Sequence, residues 1–351
     1  MRINRRPTIK QVAKAAQVST QTVSRVINDR PDVAPVTRAR VQAAIHDLGF
    51  LPNALARSLI QQRSYTLGVV TAGLKYIGPS RTLHGITRTA DEMGYTLLLK
   101  EFPQFDISDI HPLIQPLLAH HVDGIVWAVP EVGANHQWAN DIADVPVPIV
   151  FLTMKERANL TIVDVDNFAG AVMATEHLLE QGYRNIGHVT GPMDWWESQQ
   201  RKTGWEYALK KAGRKVSQSH FTEGNWSSSS GETAFLQLMS QYPDMDAVFV
   251  ANDQMALSVL QVACRKNIAV PRELGVVGFD GIPESPFYWP PLTTVSQDQY
   301  LLGSRAVEEV VEAVKRSQGE KYVSNEHSTV IKTELIVRNS SVRLSSGEAI
   351  G

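Results

Sequence analysis

The chain has 351 residues, 43% of them hydrophobic and 20% charged, with a formal net charge of −2 and one cysteine, Cys264. This fits a soluble globular protein of more than one domain. It excludes an intramolecular disulfide, and no apolar run approaches the roughly 20 residues that span a bilayer. The basic N-terminus, Met-Arg-Ile-Asn-Arg-Arg-Pro, leads into a helix rather than an apolar signal region. Charge is divided unevenly: residues 1–62 hold ten Lys/Arg against three acids, a balance of +7, and the remainder carries −9. A polyanionic partner is therefore confined to the head.

Thr8 and Gln11 form a capping box that opens a first helix with Ile9, Val12, Ala13 and Ala16 on one face. Gln17-Val18 makes a short turn, and Ser19 caps a second helix. Val23, Val26 and Ile27 of that helix point to a core, while Thr20, Gln21, Ser24, Arg25 and Asn28 lie opposite. Two short helices joined by a tight turn, the second polar outward, suit a helix-turn-helix seated in a major groove. Gln21 and Arg25 have the side chains that pair with adenine and guanine. A third helix starts at Ala34-Pro35 and runs to Gly49, and Asn53–Ile60 reads as a two-turn helix, marginal alone.

From Tyr65 strand-like runs alternate with amphipathic helices. The runs are 66–71, 95–99, 124–129 and 149–152, then 186–190, 247–251 and 276–280. Two such sets predict two lobes, each a parallel sheet covered on both faces, with a ligand cleft at the carboxyl ends of the strands. Asn252 and Asp253 close one run, Asp280 another, and Arg201 follows a third after a Gly191-Pro192 turn. Carboxylate, amide and guanidinium groups grip sugar hydroxyls, and an aromatic face covers the apolar side of the ring. Trp226, in the polar stretch Gly-Asn-Trp-Ser, supplies such a face; Trp195, Trp196 and Trp289 are candidates to extend it or to pack. Enzyme readings find no support: Cys264 sits on an apolar-patterned helix, and the ten histidines lack His-Glu-x-x-His spacing. No Walker loop or dinucleotide fingerprint occurs, so neither cofactor nor metal is expected. Residues 340–351, rich in Ser and Gly, read as a disordered tail.

Val-Ser-x-Gln-Thr-Val-Ser-Arg-Val at 18–26 and Pro-Asn-x-x-Ala-x-x-Leu at 52–59 resemble the lactose-repressor family of bacterial transcription regulators. So do Val-Ala-Asn-Asp-Gln-Met-Ala-Leu at 250–257 and Pro-Pro-Leu-Thr-Thr-Val at 290–295. The resemblance implies an all-α helix-turn-helix domain over 1–50, a hinge helix and linker over 51–63, and an α/β effector domain over 64–339. That domain has the two-lobed fold of periplasmic sugar-binding proteins, with doubly wound parallel sheets. Its first lobe spans about 64–164 and 297–326, its second about 165–295 and 327–339, with crossings near 163–166, 295–298 and 326–328. Thr8, Ser19, Thr20, Gln21, Thr22, Ser24, Arg25 and Asn28 become the DNA-contacting set, joined by Asn53 and Ala56 at the minor groove and Leu59 as its wedge. Trp226 takes the inducer-stacking position, and Arg201, Asn252, Asp280 and Gln297 match effector-binding positions. The first lobe departs from the lactose repressor: Thr153 replaces a carboxylate, Ala72 a serine, and the loop with Tyr76 differs. No heptad pattern supplies a tetramerising tail. The function implied is a cytoplasmic homodimeric repressor of carbohydrate-utilisation genes. It binds a near-palindromic operator and is released by a small sugar, a disaccharide or glycoside. Corepression, as in the purine repressor branch, or a partner protein, as in the catabolite control branch, are the alternatives among regulators. A solute-binding transport component is the alternative of another class, against which the helix-turn-helix argues.

Overall fold

The computed structural model describes residues 7–50, 63–102, 110–133, 135, 145–317 and 328–343. These fall into two compact units, one ending at Tyr65 and one starting at Thr66. Among the described residues, no helix is long and apolar enough to cross a membrane.

The head contains α1 (Ile9–Ala15), α2 (Thr20–Ile27) and α3 (Pro35–Leu48). They enclose a small core of Val12, Ala16, Val23, Val26, Val41 and Phe50. The capping box forms, with the Thr8 N–H donating to Gln11 Oε1 at 2.8 Å. Ser19 Oγ accepts from the Thr22 N–H at 3.1 Å. Between them Gln17 takes a left-handed φ of 53°, which reverses the chain within three residues. Gly49 ends α3 at a φ of 60°, a conformation glycine adopts without strain. The expected hinge helix, with Asn53, Ala56 and Leu59, lies outside the described residues.

The second unit is two doubly wound lobes. The first is laid down by β1 (Thr66–Ala72), α4 (Ile77–Glu92), β2 (Thr96–Phe102), α5 (His111–Ala119), β3 (Gly124–Ala128), β4 (Ile149–Leu152) and β5 (Thr161–Val165). The chain then builds the second from α6 (Asn167–Glu180), β6 (Ile186–Thr190), α7 (Trp196–Lys211), β7 (Phe221–Glu223), α8 (Ser228–Gln241), β8 (Ala247–Val250), α9 (Asp253–Arg265), β9 (Gly275–Asp280) and β10 (Thr293–Ser296). It returns to the first lobe as α10 (Gln299–Ser317) and β11 (Ser328–Ile331), and ends in the second with β12 (Glu334–Ile336). The sheet orders are β11-β5-β4-β3-β1-β2 and β12-β10-β9-β8-β6-β7. All pairings are parallel except β10 with β12. Helices cover both faces, so the central strands are apolar throughout, as in Ala247–Val250, where all four residues are buried. Gly85 and Gly303 let α4 and α10 touch: a Cβ on either would come within 2.1 Å of a carbonyl on the other helix.

Two expectations fail here. The third crossing falls at Lys332-Thr333 rather than 326–328, because β11 pairs with β5 and so belongs to the first lobe. Nor are residues 340–343 a free tail. Ser340 and Ser341 are fully buried: Ser340 Oγ accepts from the Thr293 N–H at 2.8 Å and donates to the Val276 carbonyl at 2.6 Å. Ser341 Oγ donates to Thr293 Oγ1 at 2.7 Å and meets His177 Nε2 at 2.7 Å. Ser340 satisfies backbone groups at the base of the second sheet and Ser341 satisfies buried side chains, roles that composition alone does not reveal. Residues 344–351 lie outside the described residues.

Candidate functional site

In the head, Ser19, Thr20, Gln21, Arg25 and Asn28 are exposed, and Thr22 and Ser24 are partly so. Thr8 is exposed at the start of α1. Asn28 Nδ2 donates to the Ser24 carbonyl at 2.9 Å, ordering the last turn of α2. Arg25 meets Asp32 at 3.5 Å, with side chains 59% and 56% exposed. Such a pair contributes little in water and leaves Arg25 free to turn to a base. Arg38 braces the loop behind α2, bonding Asp29 Oδ1 and the Arg30 carbonyl, both at 2.5 Å. Arg25→Ala is expected to cost roughly 1–3 kcal/mol of discrimination between operator and mismatched DNA. Fluorescence anisotropy at fixed salt measures it; unchanged affinity removes Arg25 from the readers.

In the second unit the cleft cluster is built around Arg201, on the second turn of α7 and 4% exposed. Its Nε donates to Asn167 Oδ1 at 2.8 Å and its Nη1 to the Ala251 carbonyl at 2.5 Å. The guanidinium lies 3.8 Å over the Phe279 ring and 5.5 Å from the centre of Trp226. Asp280 Oδ1 is 3.6 Å from Nη1 and accepts from Gln297 Nε2 at 2.6 Å. Asp280 ends β9 at a φ of 103°, a strained turn that aims its carboxyl back at Arg201. Burial raises its pKa, while Arg201, Gln297 and the more distant Arg81 of α4 pull it down.

Arg201, Asp280, Gln297 and Trp226 are thus brought together. Trp226, at a φ of 72°, meets Trp195 edge-on at 5.7 Å, and its Nε1 is buried without a partner. Asn252 plays a different part. Its Oδ1 accepts from the Met255 N–H at 2.9 Å and its Nδ2 donates to the Trp226 carbonyl at 3.0 Å. It caps α9 and holds the tryptophan loop, so it acts through Trp226. Ala72 is 1% exposed in the core with Val70, Phe102 and Trp127, and is not part of the cluster. Tyr76 caps α4 beneath Lys75, whose Nζ is 5.1 Å from its ring centre; the adjacent Ile77 packs on the core of the other lobe. Trp289 stands 88% exposed on the surface.

Several roles here go beyond the sequence reading. Asp253 does not cap α9. It reaches across the second sheet, accepting from the Ile282 N–H at 3.0 Å, Ser285 Oγ at 2.5 Å and Thr294 Oγ1 at 2.6 Å. It fastens the loop after Asp280, and burial, aided by the Asp280 charge, pushes its pKa up to about 7. Asp164 of β5 and Glu197 of α7 face each other where the lobes meet; burial pushes them up to about 6 and about 7. Thr153, at a φ of 50°, is a hydrogen-bonding neighbour of Glu197. The spacing of Glu197 and Arg201, four apart on one helix, was the available signal.

Residues 8–53 match the family described as bacterial regulatory proteins, lacI family, and residues 175–341 match a periplasmic binding protein-like domain. The lactose operon repressor of Escherichia coli (strain K12) is 30% identical over 319 residues, 91% of this chain and 87% of that protein. The chain belongs to the lacI family of bacterial regulators. It is also 31% identical over 338 residues to the HTH-type transcriptional repressor PurR of Haemophilus influenzae (strain PittEE), covering 95% of this chain and 98% of the relative. A crystal structure of the lac repressor dimer bound to operator and the anti-inducer ONPF matches with a TM-score of 0.86 and 28% identity, over 97% of this chain and all of that one. The chain is therefore a DNA-binding transcriptional repressor of the lacI family, with a helical head and a two-sheet α/β domain; its relatives are repressors, not enzymes.

Proposed function

We propose that this repressor acts as a homodimer on a near-palindromic operator, in the cytoplasm, and that a small sugar bound between its lobes releases it. The observation that carries the sugar reading is the buried Arg201 guanidinium, held over Phe279 by Asn167 and the Ala251 carbonyl, with Asp280, Gln297 and Trp226 beside it. A fixed guanidinium and carboxylate grip vicinal hydroxyls in paired geometry, and an indole covers the apolar ring face. The amide of Gln297, already bonded to Asp280, keeps that carboxylate oriented when the ligand leaves. A disaccharide or glycoside is the expected size class. A ligand with higher affinity for one lobe arrangement shifts the population toward it, and the operator-competent form gains or loses accordingly.

A thermal-shift screen tests this with lactose, cellobiose, maltose, melibiose, sucrose and trehalose, their constituent monosaccharides, and purine bases as the contrast. A sugar present at a hundred times its Kd stabilises the fold by about 2.7 kcal/mol, a shift of several degrees. Stabilisation by a purine base and by no sugar overturns the carbohydrate assignment.

A further inference from the structure

Three consecutive residues at the start of α7 tie the two lobes together. Trp195 forms an isolated antiparallel bridge with Val132 of the first lobe. The Trp196 N–H donates to the Glu131 carbonyl at 3.4 Å, and its indole Nε1 donates to Asp164 Oδ2 at 3.2 Å. Glu197 faces Thr153, and its Oε2 is buried without a partner. Arg201, one turn further along the same helix, grips Asn167 and the end of β8. One helix therefore carries both the lobe seam and the cation of the candidate sugar site.

The groups around Glu197 make that seam sensitive to charge. Asp164 faces it from β5, with Asp166 following, and Thr153 faces it from the end of β4. Arg201 approaches from its own helix but is already shared with Asp280. Glu131, beyond Trp196, is neutralised by Arg157 at 2.5 Å. Two desolvated carboxyls facing each other repel when both are ionised. The Trp196 indole donates to Asp164 and so favours its ionised form, which leaves the proton to Glu197.

We propose that Trp195, Trp196 and Glu197 form an interlobe clasp that closes with uptake of a proton on Glu197, making lobe closure dependent on pH. Glu197 lies at about 7 in the closed seam. In an opened, wetted seam it returns toward the ordinary glutamate value of about 4.3. The closed form thus binds a proton that the open form has lost. Closure weakens by up to about tenfold per pH unit as pH rises through the window between those values, and changes no further above about 7.

The test is energy transfer in the full-length, effector-free protein between a dye on the native, exposed Cys264 of the second lobe and one on Glu92→Cys of the first. Labelled chains are diluted with unlabelled ones so that each dimer carries one pair. Between pH 5.5 and 7.5 the closure constant should fall at least tenfold. In Glu197→Gln, which mimics the protonated acid, the lobes should stay closed at both pH values. Trp196→Phe keeps the ring but removes the bond to Asp164, and should lower closure at both. The same pH response in Glu197→Gln as in the parent, no response in the parent, or unaltered closure in Trp196→Phe overturns the clasp.

Discussion

Asp280→Asn is expected to shift release of the operator to roughly 10- to 100-fold higher sugar concentration while leaving operator affinity within about twofold of the parent. The substitution suits the backbone, since asparagine tolerates positive φ better than other side chains do. What it removes is charge: the carboxylate that faces Arg201 and is oriented by Gln297 becomes an amide. Hydrogen bonds to a charged group contribute about 1.5–3 kcal/mol each, so sugar affinity should fall roughly 10- to 100-fold or more. The head has its own core and lies in a separate compact unit, so its grip on DNA does not depend on that carboxylate. Calorimetry with the tightest sugar of the screen, beside operator anisotropy, checks both halves. Arg201→Ala is the poorer test, because it strips the cation from a site that also holds Asp164, Glu197, Asp253 and Asp280. It is expected to destabilise the second lobe itself.

The second large effect belongs to Asp253. Asp253→Ala leaves the Ile282 N–H and the hydroxyls of Ser285 and Thr294 without their acceptor, and all three residues are 4% exposed or less. Leaving buried polar groups unsatisfied costs about 1–3 kcal/mol for each, so a loss of at least ~3 kcal/mol is expected in urea or thermal unfolding. The loop it fastens follows Asp280 directly, so effector response should fail with it. Its pH dependence has a definite sign. The folded carboxyl, raised to about 7, holds a proton that the unfolded chain loses above about 4. Stability from this group is therefore greatest at low pH and fades as pH climbs through that window, with no further change above about 7. Glu197 and Asp164 act in the same direction, so the second unit should unfold at a higher temperature at pH 6 than at pH 8. A melting temperature that rises across that range contradicts these assignments.

Residues whose roles are local were legible in the sequence. Ser19 caps α2 because its acceptor is three residues away, and the apolar spacing of Val23 and Val26 places Arg25 outward without knowledge of the rest. Arg201 and Asp280 are legible as polar residues at strand ends, Trp226 as an aromatic in a polar stretch, and Gln297 only through the family resemblance; the structure clusters the four. Roles that depend on distant partners were not. Nothing near Glu197 in the chain points to Asp164 or Thr153, which reach it only when the lobes meet. Asn252 and Asp253 are adjacent and both polar at a strand end, yet one holds the Trp226 loop and the other the loop after Asp280. Ser340 and Ser341 looked like tail because their composition is that of a linker, while their acceptors and donors lie some fifty residues or more away. The strands the sequence pattern passed over, β5, β7, β10, β11 and β12, lack the continuous apolar run that marks the equally short β3, β4 and β8: each carries Thr, Ser, Asp or Glu within five residues or fewer.

Operator binding measured against sugar concentration tests most directly whether occupancy of the cleft by a sugar controls the hold on DNA. Anisotropy of a labelled near-palindromic duplex should fall as sugar is added to the parent protein. Trp226 fluorescence should change over the same concentration range, and the Asp280→Asn titration should move to correspondingly higher sugar. Operator binding that strengthens with sugar makes the ligand a corepressor and contradicts release; operator binding indifferent to every sugar, in a protein whose Trp226 fluorescence is equally unmoved, contradicts the carbohydrate site itself.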